Sequence, residues 1–503
     1  MSTASDVPFS SKLRLRLFPI HAFEFPKFFS LNIMHIFVIF NFWLVHNMKD
    51  TLIVASSQSG AEAISFIKMW AVFPASILFV MLYTWLSNHL SQRTLFYSIL
   101  STFLGFYAIF TLFLYPNRAF LHISSENLAN LRNTFPHLRW FFPMVGYWTY
   151  TLFYVFSELW AAIVLTLLFW QFANQITPVE QAKRFYMMIG TFSAFGMAAA
   201  GFVTKYLNTH FARWDDILTS TVSIVVLNCV IIMWLYHWIN KRIVKKDQQY
   251  IFPDAQTPEE RTTDNPSQEL KLSLWASLKH IVRSNYLLYI AVLAISYNIS
   301  INFVEITWKS QLNKVYETKQ AFNSFMGDFN LWLSIAMFIT GIIGVNVVRK
   351  FTWKTSAMLT PIIFLITGSL FFILAIYGET CFAFFGLGAS AVLVACWIGL
   401  IQNLSARCAK FSFFNTTREM AYIPLDAELK VKGKAAIDVL SGRIGKLGGA
   451  AIQQSLLILI PFSSQLTIAP YLAIATALII VAWIWAVQKL SVRFHALTTA
   501  RGK

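Results

Sequence analysis

Asn298, Asn302, Glu305 and Lys309 follow one another at intervals of four, three and four, in a stretch otherwise made of Ile, Leu, Val and Phe. On a helix that spacing gathers two amides, a carboxylate and an ammonium on one face. Such a face in an apolar helix turns to water, substrate or a partner rather than to lipid. A second stripe repeats the spacing: Tyr147, Thr151, Tyr154 and Glu158. Glu158 lies in the middle of an apolar run, where a charge is expensive and marks a cavity, or else a Lys partner that ties two helices together. A third pair, Lys49-Asp50, closes the first apolar run. Its Lys can snorkel to the interface, or stand at the mouth of a substrate cavity.

Most polar in the second half is the stretch from Phe411 to Gly449, which sets Arg418, Lys430, Lys432, Lys434, Arg443 and Lys446 against Glu419, Asp426, Glu428 and Asp438. Pro424 predicts a break in helix, and the helical period resumes near Lys432. From there Lys434, Asp438, Ser441 and Gly445 share a face. Gly442, Gly445, Gly448 and Gly449 predict a close approach of neighbouring backbones. Cations at Lys49, Lys309, Lys434, Arg443 and Lys446 suit a polyanion: desolvated phosphates want several, Lys as point charge and Arg as fork. Aromatic side chains of the fourth apolar run offer stacking to a base. Glu158 and Glu305 keep such a cavity from being an unrelieved positive trap. These groups point to a phosphorylated solute, with a nucleotide as its leading member.

The elements that must position these residues are membrane helices. Hydrophobic residues make up 57% of the chain and mean hydropathy is +0.57, above the ordinary soluble range. Twelve stretches are long enough, or nearly so, to cross a bilayer, near 28–46, 66–86, 92–114, 144–172, 185–204, 217–238, 286–305, 327–347, 355–377, 383–404, 444–463 and 467–487. The predicted fold is all-α and polytopic. A cytoplasmic N-terminal segment (1–27) precedes a first six-helix half (28–239), and a Pro-, Asp- and Thr-rich cytoplasmic linker (240–284) leads to a second (285–488) and a tail (489–503). Faint correspondences between the halves (Asn41 and Lys49 with Asn302 and Lys309, FANQIT with FFNTTR) are what a parallel repeat leaves, with binding near the midplane.

The net charge of +17 raises nucleic-acid binding, but its distribution argues against it. With both termini on one side, that side collects 30 of the 40 Lys and Arg, the excess that marks the cytoplasm. Residues 1–27 contain no apolar core of the signal-peptide kind. Cys229, Cys381, Cys396 and Cys408 lack metal-ligand spacing and read as packing residues. There is no P-loop, since GRIGKLGG fails it, no HExxH, no GxSxG and no acidic metal cluster. Neither an enzyme nor a cofactor or metal is expected, and the linker is too short for the output domain of a receptor.

KDTLIV at 49–54, GAEAISFIK at 60–68, SELW at 157–160, FWQFAN at 169–174, AKRFY at 182–186, NFVEITWKSQL at 302–312, EMAYIPLD at 419–426, KVKGKAAIDV and GKLGGAAIQQ together resemble the nucleotide transporter family. That family comprises the ATP/ADP translocases of obligate intracellular bacteria and plant plastids. The resemblance implies a twelve-helix, major-facilitator-like transporter of the bacterial inner membrane, and a chain of two halves can work as a monomer in lipid. Its substrates would be nucleotides, with phosphate or protons as companions. It also maps functional residues onto Lys49, Glu158, Glu305 and Lys434. ATP/ADP exchange is the leading expectation; proton-coupled import of GTP, UTP or several ribonucleotides is the alternative. One departure favours the second. Exchangers of the family commonly carry Arg shortly before the Lys-Asp pair, whereas this chain reads His46-Asn47-Met48-Lys49-Asp50, and GKSGG has become GKLGG. His46 and Asp438 are therefore read as modulators of substrate range or coupling.

Overall fold

In a computed structural model the chain is described over residues 20–21, 24–244, 284–384, 390–425, 437 and 445–501. The apolar runs become helices: α1 (Phe25–Val54), α2 (Ala63–His89), α3 (Gln92–Leu114), α4 (Trp148–Ile176), α5 (Val179–His210) and α6 (Trp214–Ile243). They continue as α7 (Asn285–Val315), α8 (Lys319–Lys350), α9 (Trp353–Phe384), α10 (Ala391–Tyr422), α11 (445–459) and α12 (Ala469–Arg501). Among the described residues, ten of these are long and apolar enough to cross a membrane by length and composition. The remaining two expected spans, 327–347 and 444–463, fall on α8 and α11.

Apolar length makes these helices and polar residues at their ends stop them. Ser91, Thr318 and Ser390 cap α3, α8 and α10 by accepting a backbone N–H from the first turn. Helix α10 ends at Tyr422, two residues before Pro424. Several helices run well past their predicted limits, and the excess is polar. α1 continues through Lys49 and Asp50 to Val54, and α7 through Lys309 to Val315.

Among the described residues, five stretches inside or at the end of helices are π-helical, among them Lys68–Val72, Ala161–Leu168 and Lys410–Phe414. Each inserts residues into the helical turn and so re-aims the side chains beyond it, a device that gathers at functional sites. Lys68 and Lys410 open two of them, and Glu158 stands three residues before a third.

Close packing at glycine fixes the helix pairs. A Cβ at Gly201 of α5 would lie 2.7 Å from the Gly327 carbonyl of α8, so N-terminal and C-terminal helices meet there almost backbone to backbone. On α11, a Cβ at Gly445 would stand 2.4 Å from Asn298 Cβ, and one at Gly449 would stand 3.0 Å from Asn302 Nδ2. Those two glycines seat α11 on α7, while Gly448 meets only Ile299, at 3.8 Å. Gly442 lies outside the described residues.

The two ends of the bundle differ. At the end where α1 begins, Glu24 takes a two-pronged ion pair from Arg184 of α5. At the opposite, far end, loops from distant parts of the chain are tied together. Tyr147 donates to the Ser57 carbonyl, Trp140 to the Ser463 carbonyl, and the Gln465 backbone N–H to Glu62. Tyr147 thus departs from its expected place on a helical stripe. It caps α4, whose helix starts at Trp148 behind a separate short helix (Phe142–Gly146), and it pins the α1–α2 loop.

Candidate functional site

α1, α2, α4, α7, α10 and α11 bring one charged group each, or more, to a buried centre. Lys49 and Asp50 are 1% and 0% exposed, and Lys309 is 3% exposed. Charges so far from water persist only when paired and hydrogen-bonded. Lys49 Nζ lies 3.0 Å from Asp50 Oδ1 and 3.2 Å from Glu158 Oε1. Lys309 Nζ lies 2.8 Å from Asp50 Oδ2 and 2.6 Å from Glu305 Oε1. Arg407 reaches the other oxygen of Glu305 at 2.9 Å, and Lys446 approaches Glu158 Oε2 at 3.7 Å. Every carboxylate is therefore shared by two cations.

Neutral partners complete the arrangement. Lys49 sits over the Tyr154 ring, 3.9 Å from its centroid, and the ring is 1% exposed. This cation–π contact orients the ammonium from the side that no carboxylate covers. Lys68 donates to Asn302 Oδ1 at 3.1 Å, and Asn302 Nδ2 donates to the Lys446 carbonyl at 3.0 Å, tying α2, α7 and α11 in one chain of bonds. Asn298 Nδ2 donates back to Ala294 O of its own helix, and its Cβ faces Gly445. His46 Nε2 stands 3.5 Å from Asp50 Oδ2. His46, Asp50 and Glu305 offer ligand atoms within 4.8 Å of one another. An ammonium, Lys309 Nζ, already bonds both carboxylates, so this is an ion-pair centre.

Among the described residues, five cations (Lys49, Lys68, Lys309, Arg407, Lys446) thus meet three carboxylates (Asp50, Glu158, Glu305), an excess of two positive charges. That excess, with Lys49 and Lys309 buried and the Lys446 side chain exposed at the edge, favours an anion with more than one charge. The ammonium groups suit phosphate oxygens and the Arg407 fork suits two of them at once.

The polar stripes of α4 and α7 converge here: Tyr154 and Glu158 from one, Asn302, Glu305 and Lys309 from the other. Thr151 instead donates to the Met144 carbonyl. Lys434, Asp438 and Arg443 lie outside the described residues. Lys68 and Arg407 belong to the centre without having been singled out, and Asp50 had been read only as the neighbour of Lys49. Lys68 gave a signal, a charge just inside a predicted span, of the kind that ordinarily snorkels.

The whole chain has relatives. Residues 3–494 match the model of the TLC ATP/ADP transporter family. Over 511 residues the chain is 38% identical to ADP,ATP carrier protein 1 of Chlamydia muridarum, covering 100% of this chain and 94% of that one. It is 36% identical to ADP,ATP carrier protein 1 of Rickettsia prowazekii, with 100% of both covered. Among solved structures it is similar to a bacterial homologue of the iron transporter ferroportin in an inward-facing state, with a TM-score of 0.58 at 11% identity, covering 94% of this chain and all of that one. It also resembles the inward-open xylose transporter XylE from E. coli, with a TM-score of 0.53 at 12% identity, covering 90% and 94%. The fold is accordingly the major-facilitator-like one that the sequence led us to expect.

Proposed function

The chain belongs to the TLC ATP/ADP transporter family, and from that premise we propose that it exchanges ATP for ADP and phosphate across a bacterial inner membrane. It is an integral membrane nucleotide transporter and not an enzyme. In this reading two six-helix halves, 28–239 and 285–488, rock about the ion-pair centre as a monomer, with both termini and the 240–284 linker in the cytoplasm. Lys434 and Arg443 serve as further substrate-binding residues in this reading, and Asp438, with His46, modulates substrate range or coupling.

One observation carries the reading. Asp50 of α1 is bonded by Lys49 from its own helix and by Lys309 from α7, 259 residues away. The chain's own carboxylates thus hold these ammonium groups together at the centre. Incoming phosphates compete for the same ammonium groups and bring more charge than they displace. Substrate would bridge Lys49 and Lys309, draw the halves together and stabilise the closing transition, so that the occupied carrier crosses more readily than the empty one. Glu158 and Glu305 take the cations back when substrate leaves.

A specific contact favours a second reading, proton-coupled import of GTP, UTP or several ribonucleotides. A titratable side chain, His46, faces Asp50 at 3.5 Å, beside both lysines. Purified protein in liposomes, loaded with ADP or with buffer, separates the two. Exchange requires labelled ATP to enter ADP-loaded vesicles only and to ignore a proton gradient. Uptake into buffer-loaded vesicles that needs the gradient assigns import, and His46→Arg should then alter its pH dependence. Absence of nucleotide uptake under all these conditions would overturn both.

A further inference from the structure

Arg132 and Arg139 are two cations that the ion-pair centre leaves unused. Both belong to the stretch between α3 and α4, at the far end of the bundle: Arg132 on the short helix Ser125–Thr134, Arg139 just after the turn Pro136–Leu138. They share one aromatic ring, their guanidinium carbons lying 4.6 Å and 5.0 Å from the centroid of Trp140. That ring is buried and donates to the Ser463 carbonyl, so it is itself fixed. Among the described residues the arginines paired with carboxylates are Arg118, Arg184, Arg407 and Arg418, which leaves these two out. The Nε of each is buried without a hydrogen-bond partner. Glu62 is the carboxylate whose charge acts on Arg132, but its Oε1 is engaged by the Gln465 N–H. Burial, and then the Arg139 charge beside it, push the Arg132 guanidinium down to about 10. Two guanidinium groups on one ring, with donors unmet, are costly until an anion joins them. The indole orients them and cancels none of their charge.

The same two arginines hold the loops that close this end. Arg132 Nη1 donates to the carbonyl and the side chain of Gln58, at 2.9 Å and 2.8 Å, and Arg139 lies 5.8 Å from the centroid of Phe462. Gln58 and Phe462 both have positive φ, which a non-glycine residue keeps only against a cost. An anion that draws both guanidinium groups to itself takes support from both loops at once. A phosphate chain suits the pair, because each fork takes two oxygens and linked phosphates can reach two forks.

We propose that Arg132 and Arg139, carried on Trp140, form an outer docking site for the phosphate chain of a solute arriving at the far end, and that its binding unlocks the Gln58 and Phe462 loops. That the solute is a nucleotide rests on the carrier reading. Arg139, half-buried, meets the chain first; Arg132, buried, follows as the Gln58 loop lets go. The site uses none of the charged groups of the central ion pairs, so the solute is held once at the entrance and again at the centre. A phospholipid headgroup offers the same chemistry, and the test separates the two sources.

Full-length protein in vesicles of neutral phosphatidylcholine tests this with Arg139→Gln and the charge-retaining Arg139→Lys, each carrying Ser463→Cys as reporter. The signal is labelling by a membrane-impermeant thiol reagent, above that of the same chain without Ser463→Cys. Inorganic tripolyphosphate should speed labelling severalfold with Arg139 intact and with Arg139→Lys, and should lose that effect with Arg139→Gln. This readout needs no transport, so it stands even if the carrier reading fails. In uptake assays, Arg139→Gln should raise KM for nucleotide offered at the far end about tenfold, the factor that about 1.4 kcal/mol supplies, and leave KM at the cytoplasmic end as it was. Inhibition by adenosine, which has no phosphate, should stay as in the wild type. Labelling that tripolyphosphate leaves unchanged with Arg139 intact, or speeds equally in Arg139→Gln, would overturn the proposal. So would a faster basal rate in Arg139→Gln with unchanged far-end KM, which makes Arg139 a latch for the loop and no more. If phosphatidylglycerol in the vesicles speeds labelling through Arg139 and tripolyphosphate then adds nothing, the site belongs to a lipid headgroup and unlocking by solute is wrong.

Discussion

Asp50 holds two ammonium groups, one on each of its oxygens, and has a histidine at 3.5 Å. Removing its charge leaves Lys49 and Lys309 buried with one fewer partner each, the situation that costs about 3–5 kcal/mol in buried pairs. Asp50→Asn should therefore lower the unfolding midpoint in detergent and abolish transport. Adding Lys309→Gln removes the uncompensated ammonium, so the double variant should regain most of the stability while staying inactive. Equal losses in single and double variants would mean that the two residues do not act as a pair. Glu158, Glu305 and Lys309 were legible in the sequence because each is a charge in or beside an apolar run. Asp50 was visible only as half of a Lys-Asp pair. Its decisive partner lies 259 residues on, a distance over which spacing carries no information. Arg407 was hidden for a different reason: the tenth span was expected to stop at 404, whereas α10 stays helical to Tyr422.

At the scale of the helix pair, α11 meets α7 through Gly445 and Gly449, and the two amides they cover, Asn298 and Asn302, belong to the polar stripe. Gly445→Ala places a methyl 2.4 Å from Asn298 Cβ, a contact that the flanking backbones must yield to. Overpacking of this kind costs about 1–3 kcal/mol, and here it also swings Lys446 away from Glu158. Gly448→Ala is the control, since its nearest neighbour stands at 3.8 Å and alanine favours the helix. The first variant should lower both unfolding midpoint and uptake, and the second should leave uptake intact and the midpoint equal or higher. A loss shared by both would show that α11 needs flexibility rather than close approach. Runs of apolar residues made these helices readable. Their ends were not, because membrane helices continue as long as polar side chains find partners inside the protein. The π-helical turns that aim Lys68 and Lys410 leave no period in the sequence at all.

For the whole molecule the question is what keeps the far end shut. Among the described residues the non-glycine positions with positive φ are Gln58, at 54°, and Phe462, at 58°, and both lie in the far-end loops. A left-handed conformation costs such residues roughly 1–2 kcal/mol each, so contacts around them must offset it. Arg132 supplies one set, donating to the carbonyl and side chain of Gln58, and Arg139 lies over the Phe462 ring. Between the two loops the direct link is Glu62, buried at 4% exposure, whose Oε1 accepts the Gln465 N–H at 2.8 Å. Gln465 in turn donates to Thr307 of α7, so the closure reaches the helix that carries Glu305 and Lys309. A closed end that stores strain at both loops opens with less input once its cross-link is gone. Glu62→Ala should thus shift the carrier towards a state open at the far end. Ser463 is 1% exposed in the closed arrangement, and its carbonyl accepts from Trp140. In a Ser463→Cys background, Glu62→Ala should speed labelling by a membrane-impermeant thiol reagent severalfold, beyond whatever the native cysteines contribute. A substrate that draws the centre together should change that rate in the intact cross-link and change it less without it. If labelling is equally slow with and without Glu62, the far end is held by the Tyr147–Ser57 and Trp140–Ser463 bonds instead, and Glu62 only packs the loop.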